Sequence, residues 1–180
     1  MSPTLKAYIK RERAEPLPIA RLRTMVQRSG LGFREWADVR GQPNVGSLLG
    51  SHTGVVLLLE SKGHDVGHFV LLLRRAGHVE YFDSFGLPPQ RLCAVLGWNH
   101  SETTRFTRAL ERTRKKYKRI QAVRQDINVC GRYCICRFNF KWASYEQFLG
   151  ILHHEALTPD DVVTLLTLSA DLSHWESVAK

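Results

Sequence analysis

From Gly54 onward the chain sets short apolar runs between glycines and prolines. Val55-Val56-Leu57-Leu58-Leu59 lies between Gly54 and Gly63, and Phe69-Val70-Leu71-Leu72-Leu73 follows Gly67-His68. Both are too short for helices and rich in branched residues, which predicts buried strands. His78 to Asp83 is a third strand, and Arg75-Ala76-Gly77 joins it to the second as an antiparallel hairpin. Tyr117 to Arg124 alternates polar and apolar residues and predicts a fourth. Elsewhere the spacing is helical. Ile19, Leu22, Met25 and Val26 share one face and stop at Gly30. Further helices are predicted over Gln90 to Trp98 behind two prolines, over Ser101 to Lys116 with Ser101 or Thr103 as cap, and over Tyr145 to His154 capped by Ser144. Thr158-Pro159-Asp160-Asp161 opens another over Val162 to Leu172. Leu31 to Val39 reads as a short helical turn, 41–54 as loop, and 1–18, with Pro3, Pro16 and Pro18, as an N-terminal arm or extended lead-in.

No repeat or low-complexity linker divides the 180 residues. We therefore expect one α+β domain, with a small, mostly antiparallel central sheet flanked by helices. Its core would span 54–140, between the arm (1–18) and C-terminal helices (141–180). No apolar run approaches the ~20 residues that span a membrane. The first residues lack the apolar centre of a secretory signal. Four cysteines, three of them crowded into 130–136, do not form a disulfide framework, so a reducing compartment is expected.

Charge adds a polarity that the pattern does not show. The net charge is +9, and residues 105–124 carry nine Lys or Arg against the single acid Glu111. The last 31 residues carry five acids and one base. Either this is a solvated helix face or it is a non-specific polyanion contact, for which Arg112, Arg114, Lys115, Lys116, Lys118 and Arg119 are the candidate residues.

The chemistry centres on Val129-Cys130-Gly131-Arg132-Tyr133-Cys134-Ile135-Cys136, where a polar loop runs into a mostly apolar segment. That places Cys130 at the first turn of a buried helix. There, unpaired backbone N–H groups and the helix dipole favour a thiolate, the nucleophilic form of cysteine. His68 begins one predicted strand and Asp83 ends the next, so the hairpin brings both to one open end, where an imidazole and a carboxylate can pair. A cysteine, a histidine base and an acid that orients it form the logic of a nucleophilic triad. Each residue has a plainer reading. His52, His64 and His78 read as structural, and Cys134 and Cys136 as core. A metal site from Cys130, Cys134, Cys136 and His153 or His154 has spacings unlike those of zinc modules, so no metal is expected.

Gly67-His68-Phe69, Tyr81-Phe82-Asp83-Ser84-Phe85-Gly86 and the segment from Gln125 through Cys130-Gly131-Arg132-Tyr133-Cys134 resemble the adenain family. These are the maturation proteases of adenoviruses, with relatives in other DNA viruses and virophage-like elements and, more distantly, the SUMO-specific proteases. The resemblance covers 54–140. It implies an adenain-like fold and a thiol endopeptidase that cleaves capsid and core precursor polypeptides, often after small residues such as Gly. His68 would be the base, Asp83 its orienting acid and Cys130 the nucleophile, with Phe69 where the family usually holds Trp. The oxyanion donors would be the backbone N–H of Cys130 and Gln125, with Gln121 as the alternative. The resemblance also implies that the chemistry needs no cofactor, that DNA or a viral peptide activates, and that the protein works in the host nucleus or cytoplasm and in the virion, away from membranes. Cys93 is a candidate attachment point for such a peptide, against the simpler reading of a core cysteine. The same triad would serve a peptidase that removes ubiquitin-like modifiers. A third reading is a basic nucleic-acid-binding protein with a vestigial triad.

Overall fold

The two apolar runs become the adjacent central strands of a five-stranded sheet. The computed structural model describes residues 2–63, 66–124 and 127–178, with side chains of the last helix described to Ser169. The elements run α1 (Pro3–Ala14), α2 (Ile19–Arg28), β1 (Gly32–Glu35), α3 (Trp36–Val39), α4 (Val45–Leu49), β2 (Gly54–Glu60), β3 (Gly67–Arg75), β4 (His78–Phe82), α5 (Pro89–Val95), α6 (His100–Ala109), β5 (Arg114–Lys115), α7 (Cys130–Asn139), α8 (Tyr145–Ile151) and α9 (Pro159–Val178).

The strands lie in sequence order. The β2–β3 and β3–β4 pairs are antiparallel, whereas β1 lies parallel to β2 and β5 parallel to β4. The fold is therefore α+β, as expected, with a mixed sheet whose long central pairs are antiparallel and whose short edge pairs are parallel. Both faces are covered. Val56, Leu58, Leu71, Leu73 and Phe82 pack in one cluster with residues of α2, α7, α8 and α9. Val55, Leu57, Leu59, Val70, Leu72 and Tyr81 pack in the other with residues of α3, α4, α5 and α6. Burial on both faces explains why β2 and β3 read as unbroken apolar runs rather than alternating ones.

Several local expectations need correction. Most of the N-terminal arm is helical: Ser2 Oγ accepts the Leu5 N–H and Pro3 takes the first position, where its missing N–H costs nothing. Residues 32–35 pair with β2 before the short turn of α3, and the predicted loop over 41–54 contains α4, capped by Asn44. Helix α6 is capped by Asn99, in a reciprocal box with Glu102, rather than by Ser101 or Thr103. It stops at Ala109, and Leu110 then turns into the core, where the Thr113 hydroxyl donates to its carbonyl. The last strand is Arg114–Lys115, not Tyr117 to Arg124. The latter stretch leaves the sheet because Ile120 and Gln121 both donate their N–H groups to the Ser84 carbonyl.

Candidate active site

His68 is the second residue of β3, and it is 3% exposed. Side chains alternate along a strand, so His68 shares a face with Val70 and Leu72, and Asp83 shares one with Tyr81. Because Tyr81 pairs with Leu72, that face is the same one. Past the end of the ladder, His68 Nε2–H donates to Asp83 Oδ1 over 2.6 Å. Asp83 is itself held by the turn after β4, accepting the Phe85 N–H on Oδ1 at 3.0 Å and the Leu87 N–H on Oδ2 at 2.9 Å. Phe85 stacks on the imidazole, with ring centroids 4.3 Å apart and planes 14° from parallel. The turn closes through Gly86 at φ 66°, where a Cβ would lie 2.6 Å from the backbone of Lys118. The Asp-Ser-Phe-Gly motif is thus one unit that holds the Asp83 carboxylate, covers His68 and receives the 118–121 segment.

Cys130 is the first residue of α7, which packs across β3. The preceding residue, Val129, is apolar and makes no side-chain cap. The N–H groups of the first turn are therefore not claimed by a capping side chain. Gly131 fits against Leu22 and Phe69; a Cβ there would lie 3.2 Å from Leu22. Burial pushes the Cys130 thiol up. The opposing pull of the His68 charge and of hydrogen bonds from His68 and the backbones of Phe69 and Gly131 exceeds it, so the thiol lies below its ordinary value. Burial likewise pulls His68 down, yet the Cys130 charge and the Asp83 bond carry it up to about 10. These opposite shifts describe a thiolate–imidazolium pair. With Nε2 taken by Asp83, Nδ1 is the ring nitrogen left for the sulfur.

The other thiols behave differently. Burial pushes Cys93 and Cys136 up to about 12 and Cys134 well above its ordinary value. Cys93 belongs to the same apolar cluster as Leu92 and Leu96, the simpler of its two readings. Iodoacetamide is therefore expected to label Cys130 selectively well below pH 8, with the rate falling only where the thiolate takes up its proton on the acid side. Rate-against-pH labelling with mass-spectrometric site assignment checks this, and equal rates at all four cysteines would contradict it.

His68, Phe85, Gln121, Asn128 and Cys130 share one cleft of about 200 Å³, walled on one side by Leu92 and Leu96. Of the two oxyanion candidates, Gln121 lies in this cleft, whereas Gln125 lies outside the described residues. Gln121 is 2% exposed, and its Oε1 accepts the Ser84 hydroxyl at 2.7 Å. That bond turns the amide NH₂ away from Ser84.

None of the basic candidates lines that cleft. Arg112, Arg114, Lys116, Lys118 and Arg119 are exposed along the sheet edge at β5 and the segment after it, and Lys115 is half-buried. Lys116 pairs with Glu146 at 2.9 Å, and Lys115 Nζ donates to the Glu111 and Thr113 carbonyls. Among the described residues no group of three or more His, Cys, Asp or Glu is placed to hold a metal, and no helix is long and apolar enough to cross a membrane.

Two features were missed in the sequence. Arg137, in the apolar stretch after Cys130, is fully buried against Glu80 of β4. Asn128 joins the loop before Cys130 to the end of α1. An arginine inside an apolar helix facing a glutamate inside a strand is the only signal for the first; the second has none at the level of sequence.

No family model matches the chain. It is 26% identical over 138 residues to an uncharacterized protein of the Sputnik virophage, an alignment covering 69% of this chain and 78% of that protein. That similarity fits a viral or virus-like origin.

Proposed function

We propose that the chain is a thiol endopeptidase, a maturation protease of a virus or virus-like element that cleaves precursor polypeptides through Cys130, His68 and Asp83. One observation carries the reading: a buried histidine, braced by a carboxylate at 2.6 Å, shares a cleft with a cysteine at a helix N-terminus, and the two draw each other's pKa values apart. A core histidine and a core cysteine would be driven the other way by burial. The similarity to a virophage protein supports the viral setting.

The reaction follows from the pair. The Cys130 thiolate attacks the scissile carbonyl carbon, forming a C–S bond and placing the negative charge on oxygen. The Cys130 N–H and the Gln121 amide hold that oxyanion. The imidazolium gives its Nδ1 proton to the departing amine, the C–N bond breaks, and a thioester remains. Neutral His68 then takes a proton from water, which attacks the thioester. The C–S bond breaks, and the thiolate–imidazolium pair is restored. Asp83 keeps the ring in one orientation throughout.

The exposed strip from Arg112 to Arg119 supports a polyanion contact beside this activity. The test is cleavage of a peptide library read by mass spectrometry, with and without double-stranded DNA. Discrete cleavage positions are expected, and acceleration by DNA at low salt that fades as salt rises would mark the strip as its contact. A library left intact in both arms while Cys130 labels selectively would overturn the protease reading.

A further inference from the structure

The Cys130 N–H is an oxyanion donor only if it is held still, and no side-chain cap at Val129 helps to hold it. The constraint comes from two residues upstream. The Asn128 N–H donates to the Arg13 carbonyl at 2.8 Å, and its Nδ2 donates to the Ala14 carbonyl at 2.6 Å. These carbonyls belong to the last turn of α1, where no intrahelical donor remains for them. The Glu15 N–H already serves Arg11. Asn128 therefore completes α1 from 114 residues away in the chain. In return, its main chain is fixed on both the backbone and the side-chain side. A second tie lies just past the nucleophile, where Arg132 Nη2 is 3.6 Å from Glu12 Oε2. Beyond α1, Pro16 and Leu17 line the cleft itself.

We propose that Asn128 is a positioning residue of the active site: by capping the C-terminal turn of α1 it sets the Cys130 N–H against the developing oxyanion. The N-terminal helix thereby becomes part of the catalytic apparatus. This inference rests on the protease reading above. It predicts a defect confined to acyl transfer, because a shift of a fraction of an ångström in one donor weakens the transition state far more than it weakens substrate binding.

Two reactions of one sulfur separate this role from general loosening. Alkylation by iodoacetamide displaces iodide at a CH₂ carbon and forms no oxyanion, so it reads only the thiolate–imidazolium pair. Peptide cleavage needs that pair and the oxyanion donors. Asn128→Asp keeps the shape, removes the Nδ2 donor and sets a carboxylate oxygen against the Ala14 carbonyl, while Asn128→Ala removes the donor without adding charge. Both are expected to lower kcat about ten- to a hundredfold, with KM and the Cys130 alkylation rate held within about twofold of the wild type. Unchanged kcat in both variants would overturn the proposal, as would a parallel fall of kcat and alkylation. A wild-type protein that alkylates selectively but cleaves no peptide overturns the protease reading, and the positioning role with it.

Discussion

Cys130→Ala is expected to abolish peptide cleavage, a loss of about ten-thousandfold or more, while leaving the fold in place. The substitution removes one sulfur from the wall of the cleft and keeps the backbone N–H, so substrate can still bind. Without the thiolate there is no covalent intermediate, and neither Asp83 nor Gln121 can replace the missing nucleophile. The variant also tests the electrostatics directly. The Cys130 charge is the largest of the influences that raise His68 to about 10. Removing it leaves burial opposed mainly by Asp83, so the His68 pKa should fall, as followed by NMR titration of its ring protons. Cleavage assays alongside far-ultraviolet circular dichroism complete the test. Activity close to that of the wild type, or a His68 titration that does not move, would remove Cys130 from its assigned role.

How far the sequence discloses this site depends on whether a signal is local. The Gly67-His68, Asp-Ser-Phe-Gly and Cys-Gly segments each carry their own turn or cap chemistry. The hairpin at Ala76-Gly77 then forces His68 and Asp83 to one end by strand periodicity alone. The reading weakens where long-range bonds override local preference. Tyr117 to Arg124 alternates like a strand, yet the Ser84 carbonyl captures the N–H groups of Ile120 and Gln121 and bends the segment into the cleft. That capture brings Gln121 into the cleft with His68 and Cys130, although its distance in sequence from Cys130 makes it the second choice. The N-terminal prolines suggested an extended arm because their spacing obscures that Pro3 starts a helix and Pro16 and Pro18 only follow one. β1 and β5 are short and parallel to their neighbours, and four or two residues cannot carry a period-two signature.

Arg137→Ala should be the most destabilising single change in the core, costing about 3–5 kcal/mol. Arg137 is 0% exposed, and its guanidinium grips Glu80 with two bonds of 2.7 and 2.8 Å. It also donates to the carbonyls of Phe140 and Ala143, at 2.9 and 3.2 Å, and lies 5.3 Å from the centre of the Phe148 ring. Truncation leaves a buried carboxylate whose next nearest cation is Arg75, at 3.7 Å, and removes one donor each from the Phe140 and Ala143 carbonyls, which keep the Ala143 N–H and Arg75 respectively. A chain of this length should lose roughly 6–20 °C in Tm, measurable by calorimetry. The double substitution Arg137→Met with Glu80→Leu should recover much of that loss, because it removes the stranded charge instead of creating one. A single variant within about 1 kcal/mol of the wild type would show that water or Arg75 satisfies Glu80 unaided. The consequence reaches the candidate site through geometry. Arg137 ties α7 to β4, and those two elements carry Cys130 at the start of one and Asp83 just past the end of the other. If the tie sets their spacing, the double variant will be stable yet cleave more slowly than the wild type. The pair would then be retained for where it holds the two elements rather than for how strongly it binds.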